Sequence, residues 1–203
     1  MKKMILTALV AVVSLAANAQ FWAGGEVGFT AGKTTVDGTK IGNGSYFNLI
    51  PEVGYTVNDK FDVALAIGIS HFNGNGTMYG VENNDFAKGE MGDHINRNTF
   101  MMNPYVRYKF AKAGDFTFFL DGGFAFYMIH NNQYQADGKT KNANGWDIAI
   151  KPGIAYNVSE KVSLVAHVGR LGYSFGKWEK VKTNAFNMGV NGNDLTFGAY
   201  VSF

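Results

Sequence analysis

The sequence predicts an all-β fold, an eight-stranded antiparallel up-and-down β-barrel that crosses a membrane. Three observations carry that expectation. Apolar residues recur with a period of two in eight separate stretches, the spacing of a strand with one apolar face. The connections between the stretches alternate short and long, as they do when turns lie on one side of a bilayer and loops on the other. The composition has 26 glycines, 15% aromatic residues and a mean hydropathy of −0.08. That suits a structure apolar outside and polar inside better than a soluble enzyme.

The chain begins MKKMILTALVAVVSLAANAQ, with Lys2 and Lys3 ahead of a thirteen-residue apolar run from Met4 to Ala16. Ala17-Asn18-Ala19 then offers a small-x-small cleavage site before Gln20. The run is too short for a membrane helix, which needs ~20 residues, and the pattern is that of a secretory signal. The expected organisation is a signal peptide over 1–19 and a single barrel domain over 20–203. No cysteine is present, which leaves no disulfide, thiolate metal site or lipid-anchored cysteine. A net charge of +2 gives no reason to expect a nucleic-acid partner, and no motif implies a cofactor.

The first strand is expected over Phe21–Thr30. In Tyr46–Val57 one phase carries Phe47, Leu49, Pro51, Val53, Tyr55 and Val57, and the other Asn48, Ile50, Glu52, Gly54 and Thr56. The third stretch sets Phe61, Val63, Leu65, Ile67 and Ile69 against Asp62, Ala64, Ala66, Gly68 and Ser70. The fourth sets Phe100, Met102, Pro104, Val106, Tyr108 and Phe110 against Asn103, Tyr105, Arg107 and Lys109. Phe116–Met128 and Trp146–Asn157 repeat the split, with Asp121 and Lys151 on the mixed face. Val162–Phe175 and Leu195–Phe203 complete eight, each long enough to cross a bilayer at a tilt, which takes ~9–11 residues.

Tight turns are expected at 58–60, 112–115 and 159–161, and long polar loops at about 31–44, 73–98, 131–145 and 177–193, where Gly and Asn cluster. In the seventh strand Arg170 falls on the lipid face if Val162, Leu164, Ala166 and Val168 point outward. It then either snorkels to head groups or is turned by a bulge that brings Leu171, Tyr173 and Phe175 outward.

The motif Pro-x-[Val/Ile]-x-Tyr occurs three times, in PEVGYTV (51–57), PYVRYKF (104–110) and PGIAYNV (152–158). Each copy sits about the same distance before a short turn, so Tyr55, Tyr108 and Tyr156 fall at one height. There, with Phe203, they form an expected aromatic girdle. Pro51, Pro104 and Pro152 interrupt a ladder to which they cannot donate, which suggests a ring of bulges. The last stretch, LTFGAYVSF, places Leu195, Phe197, Ala199, Val201 and Phe203 on one face and Thr196, Gly198, Tyr200 and Ser202 on the other. Its order is expected to come from pairing with the first strand, which abolishes both sheet edges.

Together, the signal, the repeated Pro-x-[Val/Ile]-x-Tyr before a short turn and the terminal aromatic strand resemble the small eight-stranded outer-membrane β-barrels of the OmpA-transmembrane and OmpX type. The resemblance spans the whole mature chain and implies residence in the outer membrane of a Gram-negative cell. It also implies that the barrel-assembly machinery reads the terminal strand, here Leu195, Phe197, Tyr200, Val201 and Phe203. The expected surroundings are outer-membrane lipids and lipopolysaccharide, with an extracellular ligand meeting the loops, and the chain is expected to be a monomer.

The mixed faces carry Glu26, Glu52, Asp62, Arg107, Lys109, Asp121, Asp147 and Lys151. A rise of ~3.4 Å per residue puts Glu52, Arg107, Asp121 and Lys151 near one depth, with Glu26 completing a lumen charge network. Eight strands leave an interior that side chains fill, so a salt-bridged plug is favoured over an ion-selective constriction. A narrow porin-like channel is the alternative. A soluble lipocalin-like carrier would need the opposite placement of its apolar face.

No catalytic or metal-binding set is expected. His71, His94, His130 and His167 fall on different elements and read as stray rim residues. His130 with Ser174 lacks a visible orienting third group, which leaves a lipid-modifying enzyme as the least favoured reading. Glu82, Asp85, Glu90, Asp93 and His94 do not match a calcium loop, and Gly32-Lys33-Thr34 lacks the glycine that a phosphate loop requires. Lys177, Lys180 and Lys182 form a basic cluster able to meet lipopolysaccharide phosphates.

Overall fold

The computed structural model describes residues 21–36, 39–75, 94–131, 141–178, 181–189 and 195–203. The expected signal and the acidic stretch 82–93 lie outside the described residues. Ten strand segments are present: β1 (Phe21–Val36), β2 (Thr39–Asn58), β3 (Phe61–Asn75), β4 (His94–Ala113), β5 (Phe116–Asn131), β6 (Lys141–Asn157), β7 (Val162–Val168), β8 (Arg170–Trp178), β9 (Val181–Gly189) and β10 (Leu195–Ser202). β7 with β8 and β9 with β10 are the two halves of the seventh and eighth staves. The result is a closed, eight-strand antiparallel barrel.

The period-two pattern produces this wall directly. On β3, Val63, Ile67 and Ile69 are exposed while Asp62 and Ala66 are buried; on β4, Phe100, Met102, Val106 and Tyr108 are exposed while Tyr105 and Arg107 are buried. The exposed apolar band faces outward on every stave, and the polar and charged phase fills the interior, the reverse of a soluble carrier.

The ends close through β1 and β10. Trp22 pairs with Ser202, and the register runs to Glu26 opposite Gly198; Phe203 N donates to Phe21 O at 3.0 Å. Above Glu26, toward the loop end, β1 continues to Val36 paired with β2.

The short turns are locally encoded. Asn58 Oδ1 accepts from Lys60 N and Phe61 N at 2.9 and 3.0 Å, the turn that asparagine side chains favour. Gly114 holds the 112–115 turn at φ 58°, open to glycine without steric cost. Ser159 Oγ accepts from Lys161 N and Val162 N at 3.3 and 3.1 Å.

At the other end the strands run further than expected. Two of the expected loops, 31–44 and 177–193, are largely hairpin: β1 and β2 stay paired through Val36 and Thr39, and β8 and β9 through Trp178 and Val181. Their Gly, Thr and Asn residues read as loop composition, yet they keep the backbone ladder that water leaves intact beyond the bilayer. Gly32-Lys33-Thr34 lies in β1 opposite Gly44, Asn43 and Gly42, so it is strand and not a phosphate loop.

The bulge option holds for Arg170. β6 pairs Gly153 with His167 but Ile150 with Leu171, a one-residue shift absorbed at Gly169, whose φ of 136° favours glycine. The shift turns Leu171 and Tyr173 outward and Arg170 inward.

The expected ring of proline bulges is not formed. Register runs unshifted past Pro51 and Pro104, which stay paired with the preceding strand while the ladder to the following strand skips them. A missing donor removes one bond without inserting a residue. Beside Pro104, the Asn103 amide, oriented to satisfy its hydrogen bonds, donates to Phe124 O at 3.3 Å and occupies the acceptor Pro104 leaves vacant. Only at Pro152 does a shift occur, and it lies on the facing strand at Gly169.

Candidate functional site: the charged lumen

The interior is built around Arg107. Its Nε and Nη2 donate to Asp121 Oδ1 and Oδ2, both at 2.8 Å, a bidentate pair between adjacent staves β4 and β5. The guanidinium lies 4.0 Å from the centroid of Phe119 and within 5.8 Å of the rings of Trp22, Tyr105 and Tyr200. Charge-assisted bonds and cation–π contacts thus replace the water the barrel excludes.

His167 extends the network across the lumen. Nε2 lies 2.8 Å from Asp121 Oδ2 and Nδ1 lies 2.9 Å from Glu26 Oε1. Each ring nitrogen faces a carboxylate oxygen, an arrangement that imidazolium satisfies by donating twice. Thr196 Oγ1 donates to the same Glu26 oxygen at 3.0 Å. Glu52 accepts from Tyr200 OH at 3.0 Å and from Tyr105 OH. Glu26, Glu52, Arg107, Asp121 and His167 are all at most 8% exposed.

Two further ion pairs lie above and below. Toward the turn end Lys109 Nζ reaches Asp62 Oδ1 at 2.8 Å; toward the loop end Arg170 pairs with Asp147. Trp22 meets Tyr200 edge-on at 4.9 Å, and Phe119 meets His167 edge-on at 5.4 Å.

Of the sequence-selected lumen residues, Glu26, Glu52, Arg107 and Asp121 are brought together. Lys151 stands opposite Asp121 in the ladder. His167 is a correction: it is no stray rim residue but a bridge between two buried carboxylates. Its inward phase follows from the alternation of Val162, Leu164, Ala166 and Val168, and its partners on β1 and β5 are set by closure of the barrel. Trp22 and Phe119 are lumen residues that the sequence reading does not name, while Tyr105, placed on the mixed face, and Tyr200, named for the assembly signal, prove to be lumen partners of Glu52.

His130 and Ser174 do not meet. His130 bonds Asn142 on the outward face, while Ser174 Oγ donates to Ala185 O at 3.4 Å. Among the described residues no group of His, Asp and Glu is arranged to hold a metal.

At the turn end each expected tyrosine has an aromatic partner on the preceding or following stave. Phe21–Tyr55, Phe61–Tyr108 and Phe116–Tyr156 have centroids 4.9, 5.0 and 4.9 Å apart. In the last strand Phe197 and Val201 are exposed while Tyr200 is buried in the lumen.

A closed antiparallel barrel with an outward apolar band, aromatic pairs at one rim and buried charge inside defines an integral outer-membrane β-barrel protein. The chain belongs to the outer membrane protein beta-barrel domain family, whose sequence model matches residues 4–193. Comparison with curated proteins gives no match. Among solved structures it is similar to Neisserial surface protein A (NspA), at 15% identity and TM-score 0.51, covering 92% of this chain and 98% of that one. It is also similar to a major outer membrane protein from Thermus thermophilus, at 12% identity and TM-score 0.50, covering 91% and 98%. At these identities the likeness is one of fold.

Proposed function

We propose that this protein is a non-conducting outer-membrane barrel with a structural and surface-interaction role, carrying its extracellular loops on a plugged lumen. The Arg107–Asp121–His167–Glu26 chain carries this reading. It spans the lumen between opposite staves, every charge in it is paired, and aromatic rings fill the remaining space. A buried pair of this kind is costly to break, so an ion would have to open it to pass.

The same reading gives the Phe–Tyr pairs and Phe203 the role of the periplasmic girdle. Leu195, Phe197, Tyr200, Val201 and Phe203 supply the signal read by the assembly machinery, after a signal peptide over 1–19 has directed export. The barrel acts as a monomer without a catalytic step. Planar-bilayer recording of the refolded protein tests the central point: no steady conductance is expected, and reproducible single-channel steps would establish the porin-like alternative instead.

A further inference from the structure

Above its apolar band the outward wall carries an ordered polar row. His71, Asn98, His130 and Asn142 stand opposite one another across β3, β4, β5 and β6. His71 Nδ1 bonds Asn98 Oδ1 at 2.8 Å, and His130 Nδ1 bonds Asn142 Oδ1 at 2.6 Å. An amide oxygen only accepts, so each Nδ1 donates. Both rings are thereby fixed, and the row keeps Nε2 and the amide NH₂ groups for other partners.

One step toward the membrane centre, Ile69, Phe100 and Met128 form an apolar ledge in matching register. Row and ledge together line an outward groove of about 660 Å³. The ledge row continues through Asn144 to Lys177 and Lys182, both exposed. Strands lie ~4.8 Å apart, so Lys177 stands two strands, roughly 10 Å, from Met128. Among the described residues no aspartate or glutamate faces outward above the apolar band.

We propose that this groove docks the phosphorylated headgroup of an outer-leaflet glycolipid of the lipid A kind. An acyl chain lies over the ledge, and phosphate and sugar oxygens meet the His–Asn row and the two lysines. Position and charge select this occupant. The groove straddles the upper edge of the apolar band, where an amphiphile changes from chain to headgroup, and its polar part offers donors and positive charge with no carboxylate facing it among the described residues. The inference rests on residence in the outer membrane and not on the closed lumen, so a conducting barrel would leave it standing.

The test uses the full barrel refolded into neutral phospholipid nanodiscs containing bis-phosphorylated lipid A, with retained glycolipid measured by native mass spectrometry. Dephosphorylated lipid A and inorganic phosphate serve as comparison probes. Retention should fall about tenfold with dephosphorylated lipid A, and about tenfold in His71→Gln/His130→Gln and in Lys177→Gln/Lys182→Gln, the scale of losing charge-assisted hydrogen bonds. Equimolar inorganic phosphate should not displace the lipid. Heat-modifiable gel mobility verifies folding, and Lys177→Gln alone, at an exposed site, serves if a double variant fails to fold. Equal retention of dephosphorylated lipid A, unchanged retention in folded variants, or displacement by inorganic phosphate overturns the proposal.

Discussion

Replacing Arg107 by alanine removes both bonds to Asp121 and the cation seated 4.0 Å from Phe119. Breaking a buried pair by deleting one partner costs about 3–5 kcal/mol. Asp121 keeps its bond to His167, which places the expectation near the lower end, about 3 kcal/mol. Loss of the ring contacts adds about 1 kcal/mol, for a total near 4 kcal/mol. Arg107→Lys keeps the charge but not the planar fork, so it should lose roughly half as much. Reversible urea unfolding in lipid vesicles, followed by tryptophan fluorescence, measures both. An Ala variant destabilised by less than about 1 kcal/mol, or a Lys variant no better than Ala, would refute the idea that this bidentate pair organises the lumen.

Further expectations concern single positions. His167→Leu leaves Glu26 and Asp121 without their shared donor, so unfolding free energy should fall by about 2–4 kcal/mol, and an unchanged urea midpoint would contradict it. Gly169→Val forces a branched side chain to φ 136° and should cost about 1–3 kcal/mol, visible as a lower temperature for loss of the compact gel band. A Cβ at Gly153 would stand 2.3 Å from the Phe119 ring, so Gly153→Ala should destabilise by about 1–3 kcal/mol, with Gly122→Ala, where nothing lies within 4 Å, as the neutral control. Deleting Phe203, whose N–H bonds Phe21 O at 3.0 Å, should lower the membrane-inserted yield; equal insertion would remove it from the assembly signal.

The wall was legible because each strand states its own phase. Val63, Ile67 and Ile69 opposing Asp62 and Ala66 need no knowledge of any other strand. The lumen was legible only as a set, since charges such as Arg107 and Asp121 must turn inward wherever the apolar phase turns outward. Which of them bond was not legible. The pairing of His167 with Glu26 joins residues 141 apart in the chain, and it depends on closure and stagger of the staves. Glycine- and asparagine-rich ends misled in the other direction. Composition marks them as turn formers, whereas the continued ladder from Gly32–Gly44 to Val36–Thr39 is a cooperative property of paired backbones. The prolines misled similarly, because a missing donor and an inserted residue leave the same trace in a sequence.

The closing seam has a kinetic consequence. Among the described residues β1 meets β10 from Trp22 to Glu26, whereas β1 meets β2 from Phe21 to Val36. The seam partners are roughly 180 residues apart along the chain, against about four across a turn, and the loop-closure entropy differs by about 3 kcal/mol. Every other pairing is a hairpin or neighbour contact that can zip from a local turn; this one must wait until the whole ribbon has curled. An uncurled ribbon in the bilayer would expose two rows of unpaired backbone groups to hydrocarbon. The barrel therefore has no useful fraction of itself: a ribbon lacking its last stave is not most of a barrel but an open edge, and one short ladder decides whether the longer ones persist.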